Sequence, residues 1–105
     1  MDVITFKQGA SFTRTFQWFD TDDLVLDLTG CSVRFAAKND NAEFSASTDD
    51  GKIVINGNTA VLTILDTSMY SSGIYLADIK VTFQNNFVSI SDTFVIKIQE
   101  TYSNE

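Results

Sequence analysis

Hydrophobic and polar residues alternate along most of this chain, and the alternation is longest across residues 75–98, on either side of Asn85 and Asn86. A two-residue turn at these asparagines predicts a long β-hairpin with a fixed register. One face of that hairpin is apolar, and its members are Tyr75, Ala77, Ile79, Val81, Phe83, Val88, Ile90, Phe94, Ile96 and Ile98. A sheet with one apolar face needs a second layer to cover it.

One position breaks the hairpin pattern. In the predicted register Asp92 lies on the apolar face opposite Ile79, where an unpaired carboxylate would be costly. A catalytic acid with a raised pKa would explain such a residue, but a local irregularity in the strand is a simpler explanation. We therefore predict either a β-bulge at residues 91–93 or a bend there that passes the strand to the other sheet.

The rest of the chain divides into short alternating segments separated by turn residues. Strands are predicted at residues 3–6, 11–19, 31–38, 52–55 and 59–65, with Glu43–Ser47 at best a short edge strand. The turn between the strands at residues 52–55 and 59–65 is either Gly57-Asn58 or Asn56-Gly57. No segment has convincing helical periodicity. The pattern predicts one domain, residues 1–105, with an all-β fold: an immunoglobulin-like antiparallel β-sandwich of about 7–8 short strands.

Composition removes several classes of function. The 105 residues include no histidine and one cysteine, Cys31, which excludes histidine-based catalysis, an internal disulfide and a multi-cysteine zinc site. We therefore expect no enzyme activity, no cofactor and no small-molecule substrate, and Cys31 is expected to be a buried thiol. The net charge of −7 opposes contact with nucleic acid phosphates. No apolar run approaches the ~20 residues of a membrane span, and the amino-terminal residues lack the pattern of a secretory signal.

Two clusters have a plain structural interpretation. Asp20, Asp22, Asp23 and Asp27 could offer oxygen ligands to Ca²⁺, but they lack the glycine and the bidentate acid of an EF-hand loop. We interpret them as a solvated turn and predict no metal site. The aromatic stripe Phe12, Phe16 and Trp18 could stack on a sugar or a base, although its alternation favours core packing.

Three phenylalanines are the candidate residues for contact with another protein. Phe19 and Phe87 break the apolar-polar alternation, so their side chains are not explained by a core position. Phe44 lies on the predicted edge strand, whose unpaired backbone groups could accept a strand from a partner. A strand from a partner could also add to residues 3–6.

The segments 4–12 and 27–35 resemble a known family. They include Asp27-Leu28-Thr29-Gly30 followed by a strand with Val33-Arg34-Phe35, and Gly73-x-Tyr75 further on is similar to a later signature of the same family. The pattern resembles the small virion domains of tailed phages, typified by the amino-terminal domain of baseplate upper proteins. Its motifs identify a fold, because they are expected to shape turns.

The resemblance implies a non-enzymatic structural or adaptor protein of a tailed-phage virion, in the tail, the baseplate or the head-to-tail region. Its expected partners are phage structural proteins and possibly further copies of itself. The protein would be made in the host cytoplasm and end in the virion. A capsid decoration protein and a small phage inhibitor of a host defence protein remain as alternatives.

Overall fold

A computed structural model describes residues 2–102, and this part of the chain contains nine strands and no helix. The strands are β1 (Val3–Lys7), β2 (Phe12–Phe16), β3 (Ser32–Lys38), β4 (Glu43–Ser47), β5 (Ile53–Asn56), β6 (Thr59–Ile64), β7 (Gly73–Thr82), β8 (Val88–Ile90) and β9 (Phe94–Gln99). They form two sheets with one apolar core between them. The predicted all-β, immunoglobulin-like sandwich is confirmed, with nine strands in place of the expected seven or eight.

The larger sheet has the strand order β1-β9-β7-β3-β4, with β8 also paired to β7, and the smaller sheet has the order β2-β6-β5. Every pairing is antiparallel except that of β1 with β9, which is parallel. The expectation of a purely antiparallel sandwich is therefore corrected at this pair. Local turn signals reveal hairpins, but a parallel pair needs a long crossover, and here β1 and β9 come from opposite ends of the described chain.

A buried tyrosine fixes the corner before β7. The side chain of Tyr75 is fully buried, and its hydroxyl donates a hydrogen bond of 2.8 Å to the carbonyl oxygen of Ser71. This is the tyrosine corner of immunoglobulin-like sandwiches, which antibody domains follow two residues later with a disulfide cysteine. Here Ala77 occupies that position and is buried. Burial raises the pKa of the Tyr75 hydroxyl, so it stays protonated as the hydrogen-bond donor.

The long hairpin has the predicted register along half its length. Tyr75 pairs with Ile96 and Ala77 with Phe94, as the two-residue turn requires. Near the turn, however, Thr82 pairs with Val88, which is a shift of one residue. The shift arises because the loop contains three residues, 84–86, the last of which has a positive φ of 67°. Such a loop ends in a bulge, unlike the expected two-residue turn.

This shift reverses the faces of β8. Val88 and Ile90, predicted to point inward, are 44% and 60% exposed, while Ser89 is half-buried between them. The predicted bulge at residues 91–93 is confirmed. Ser91 lies opposite Ile79 and Phe94 lies opposite Ala77, so the chain advances three residues here while β7 advances two. The bulge restores the register for β9 and leaves Asp92 exposed.

The hairpin of β5 and β6 follows one of the two alternatives left open by the sequence. Asn56 pairs with Thr59, so Gly57-Asn58 forms the turn. Gly57 has a φ of 63° at the first central position, which suits a type II′ turn. The alignment buries Ile53, Ala60, Leu62 and Ile64 on the core face.

The edge strand β4 has the predicted bounds and lies at one edge of the larger sheet, so the prediction that its backbone accepts a strand from a partner still stands. The role assigned to the side chain of Phe44 is corrected, because it points into the core. Phe44 is only 6% exposed. The centroid of its ring lies 4.4 Å from the ring centroid of Tyr70 and 5.1 Å from that of Tyr75. The alternation along β4 turns Phe44 and Ala46 into the core while Glu43 faces outward. Phe44 is therefore a core residue, and its side chain is not available to a partner.

Candidate functional site: an aromatic cleft

The connection between β2 and β3 meets the β7–β8 hairpin at one end of the sandwich, where they enclose a cleft of about 820 Å³. We call this the aromatic cleft. Its aromatic lining is Trp18, Phe19, Phe83 and Phe87, and its polar rim includes Asp20, Thr21, Gln84 and Asn85. Phe19 and Phe87, two contact candidates that are far apart in the sequence, thus lie on one site.

A short hairpin-like excursion builds the first wall. Phe19 and Val25 form an isolated antiparallel bridge, and the amide of Leu26 donates a 2.8 Å hydrogen bond to the carbonyl oxygen of Trp18. The Asp20 carboxylate closes the tip by accepting bonds of 2.8 Å and 3.0 Å from the amides of Asp22 and Leu24. Asp20, Asp22 and Asp23 thereby form a turn, as expected, and this turn holds Phe19 at a defined place, whereas Asp27 belongs to the next turn.

The second wall is the three-residue loop of the β7–β8 hairpin. The amide of Phe83 donates to the carbonyl oxygen of Phe87 at 2.9 Å, and the Asn85 side chain accepts from the Phe87 amide at 3.0 Å. The two phenylalanine rings are 6.3 Å apart and tilted by 50°. Backbone hydrogen bonds on both sides therefore fix the position from which Phe87 projects.

A hydrogen bond between side chains joins the two walls. The indole nitrogen of Trp18 donates to the hydroxyl oxygen of Ser89 at 2.9 Å. Ser89 can accept this bond because the one-residue shift of β8 turns it inward. The sequence pattern placed Ser89 on the outer face, so neither this bond nor the cleft could be found from it.

The Asp27–Gly30 motif supports the same end of the molecule. Asp27 accepts hydrogen bonds from the hydroxyl and the amide of Thr29, which hold the pKa of this carboxyl below its usual range. Leu28 is 1% exposed, and Gly30 has a φ of 78°. A Cβ at Gly30 would displace the flexible side chain of Gln84, and the positive φ itself favours glycine at this turn. The motif shapes a turn, as the resemblance implies.

Of the aromatic stripe predicted from the sequence, Trp18 lines the cleft and Phe12 and Phe16 do not. Phe12 is buried, and Phe16 and Trp18 are partly buried against the core, which agrees with the packing interpretation of the stripe. Cys31 is half-buried, unlike the expected buried thiol, and its pKa is raised by burial and then by the nearby charge of Asp27. A raised pKa keeps the thiol protonated and weakly nucleophilic.

Neither a metal cluster nor a membrane-spanning helix is found where the chain is described. Among residues 2–102, no three or more Cys, Asp or Glu side chains are arranged to hold a metal ion. The same residues contain no helix long and apolar enough to cross a membrane.

Millimolar Ca²⁺ is expected to leave the melting temperature unchanged, because one oxygen of Asp20 already accepts two backbone hydrogen bonds and the turn forms without an ion. Selective binding to the folded state would raise stability by RT ln(1 + [L]/Kd). Differential scanning fluorimetry with Ca²⁺ and with Mg²⁺ tests this. A rise of several degrees that only Ca²⁺ produces, and that Asp22→Asn removes, would contradict it.

Comparison with known proteins gives a structural likeness alone. No protein-family model and no curated protein matches the chain. Among solved structures, the fold is similar to that of murine CRIg, at 9% sequence identity over 96% of this chain and 93% of that chain, with a TM-score of 0.42. What the protein binds has therefore to be inferred from its own surfaces.

Proposed function

We propose that this protein is a non-enzymatic structural or adaptor protein of a tailed-phage virion, and that it binds a neighbouring virion protein through the aromatic cleft. The tail, the baseplate or the head-to-tail region would be its location, reached after synthesis in the host cytoplasm. The observation that carries the proposal is the exposure of two phenylalanines on one cleft: Phe19 is 52% and Phe87 64% exposed.

Covering a large exposed apolar side chain with a partner is favourable, because it removes apolar surface from water. Aromatic residues are enriched at protein interfaces, where a few buried rings supply most of the binding energy. Phe19 and Phe87 sit on turns whose backbone is hydrogen-bonded, so little conformational entropy is lost when a partner covers them. A cleft of this kind suits one or two apolar side chains of another protein.

The resemblance to phage virion domains supports the virion part of the proposal. Asp27-Leu28-Thr29-Gly30 forms the turn that packs against Gln84 on the second wall of the cleft. Gly73 and Tyr75 form the corner that starts β7, the strand that leads to the same wall. The Asp27–Gly30 part of the resemblance thus supports the end of the sandwich that carries the two exposed phenylalanines, whereas Gly73 and Tyr75 lie at the opposite end of β7.

The experiment compares incorporation into purified phage particles. The double variant Phe19→Ser/Phe87→Ser is expected to fold with a near-normal melting temperature and to be lost from particles by more than about tenfold, measured by quantitative mass spectrometry. The matched control is Leu65→Ser, which changes another exposed apolar residue at the opposite end of β6 from the cleft. This control should be incorporated normally.

Copy number separates the proposal from its alternatives. A tail component should be present at a handful to dozens of copies in each particle, whereas a capsid decoration protein should reach hundreds. Absence of the unmodified protein from particles would favour the inhibitor of a host defence protein. Normal incorporation of the folded double variant would rule out the aromatic cleft as the contact.

A further inference from the structure

We propose that the outer face of the larger sheet binds a second copy of this chain, by accepting the acidic turn at residues 20–23 together with the apolar residues beside it. The contact would be head to tail, with a different surface used on each copy. This inference rests on the proposed function, because it names another copy as one neighbour of the end that carries the aromatic cleft.

The first observation is the placement of positive charge. The chain has seven basic residues against fourteen acidic ones. Five of the seven point outward from the larger sheet, because they alternate with buried residues on β1, β3, β7 and β9. They are Lys7, Arg34, Lys38, Lys80 and Lys97. We call this surface the basic face. Asp78 and Glu43 also lie on it, but the five basic residues outnumber them.

The second observation is an apolar row across the same face. Val3, Val95 and Leu76 are direct neighbours on three adjacent strands. Val3 is 60% and Leu76 54% exposed, and Ile74 on the next row is 61% exposed. Lys97 is the cross-strand neighbour of Ile74, and Lys38 is that of Leu76. An apolar centre with charged neighbours has the composition of a protein interface.

The third observation is a pair of like charges. Arg34 on β3 lies directly opposite Lys80 on β7, an arrangement that destabilises a sheet by itself. Asp50 is the nearby carboxylate. Burial acts to raise its pKa, but hydrogen bonds from the backbone amides of Lys52 and Ser47, and then the charges of Lys52 and Arg34, lower the pKa below its usual value. Asp50 is exposed, and its carboxylate accepts hydrogen bonds from amides of its own turn. The pair of Arg34 and Lys80 therefore still favours an anionic partner.

The chain itself carries a surface with the complementary pattern. Asp22 and Asp23 are exposed at the tip of the first wall of the cleft, and the adjacent Leu24 and Val25 are 64% and 39% exposed. Together with Phe19 they combine apolar area with negative charge, whereas the basic face combines apolar area with positive charge. Complementary potentials of this kind select a partner and its orientation.

Charge also decides the geometry of the contact. A symmetric dimer through two basic faces would bring together two surfaces that each carry five cations and only two anions, so their like net charges would repel. A head-to-tail contact instead pairs opposite charges and leaves one free surface on each end of the pair. Such heterologous contacts close into rings or continue as filaments.

The test is sedimentation of the purified full chain over a concentration range of about 10 μM to about 1 mM, at low and at high salt. Wild-type protein is expected to self-associate at low salt and to dissociate at high salt. Lys97→Glu on the basic face and Asp22→Lys on the acidic turn should each weaken association by about tenfold or more. Lys52→Glu is the matched control, since Lys52 precedes β5 in the other sheet and the change in net charge equals that of Lys97→Glu.

Mixing the two charge-reversed variants gives the sharpest result. Their altered surfaces are complementary to each other, so the equimolar mixture should associate as wild type does, while each variant alone stays monomeric. A monomeric wild-type protein at every concentration would overturn the inference, as would loss of association in only one of the two variants or no rescue on mixing. Incorporation into particles that depends on Phe19 and Phe87, in a protein that stays monomeric, would leave the proposed function standing and remove this inference alone.

Discussion

Phe44→Ala is expected to lower the free energy of unfolding by about 3–5 kcal/mol, the usual loss when a buried phenylalanine is truncated. The ring of Phe44 lies within 6 Å of three other aromatic rings, those of Phe35, Tyr70 and Tyr75. Its removal leaves a cavity between β4 and the corner that precedes β7. Since a domain of this size has roughly 5–15 kcal/mol of total stability, the variant should be largely destabilised at elevated temperature.

Urea denaturation followed by tryptophan fluorescence measures this loss, with Phe87→Ala as the matched control. Phe87 is the same residue type but 64% exposed, so its truncation should change the unfolding free energy by less than about 0.5 kcal/mol. Equal effects of the two substitutions would show that Phe44 is not packed as described here.

Thr67→Val is expected to cost about 2–4 kcal/mol, although valine preserves the shape of the side chain. Thr67 is fully buried, and its hydroxyl donates to the carbonyl oxygen of Ala10 at 2.6 Å and accepts from the amide of Gly9 at 2.9 Å. These two backbone groups belong to the turn that carries the chain from β1 in one sheet to β2 in the other. Valine would leave both without this partner.

Thermal and urea unfolding of Thr67→Val should be compared with those of Thr15→Val. Thr15 is exposed on β2, so the same chemical change there should alter stability by less than about 0.5 kcal/mol. A Thr67→Val protein as stable as the wild type would mean that water or another group replaces the hydroxyl at the turn between β1 and β2.

Local pattern in the sequence predicts the strands well, because side-chain alternation and turn residues act over a few positions. The bounds of β4 and the Gly57-Asn58 turn follow from such signals. The register of β8 does not, because Asn85 and Asn86 suit a two-residue and a three-residue loop, and the backbone angle of Asn86 decides between them. The parallel pairing of β1 with β9 has no local signal.

The candidate site was only partly predictable for the same reason. Broken alternation marks Phe19 and Phe87 individually, but their meeting depends on how two distant loops pack. The Trp18 to Ser89 hydrogen bond depends on the one-residue shift, which the sequence pattern places wrongly. The core position of Phe44 could have been predicted from the sequence. Phe44 and Ala46 alternate with Glu43, Ser45 and Ser47, and this alternation marks an inward face.

The parallel pairing of β1 with β9 determines how the domain responds to mechanical force. The ladder runs from the Val3 and Val95 pair to the Lys7 and Gln99 pair, so Val3 and Gln99 lie at opposite ends of it. Pulling these two residues apart slides one strand along the other and loads all the ladder hydrogen bonds together. Two antiparallel terminal strands pulled from the same end would instead lose their bonds one after another. A force applied at Val3 and Gln99 is therefore resisted by shear along the whole β1–β9 ladder.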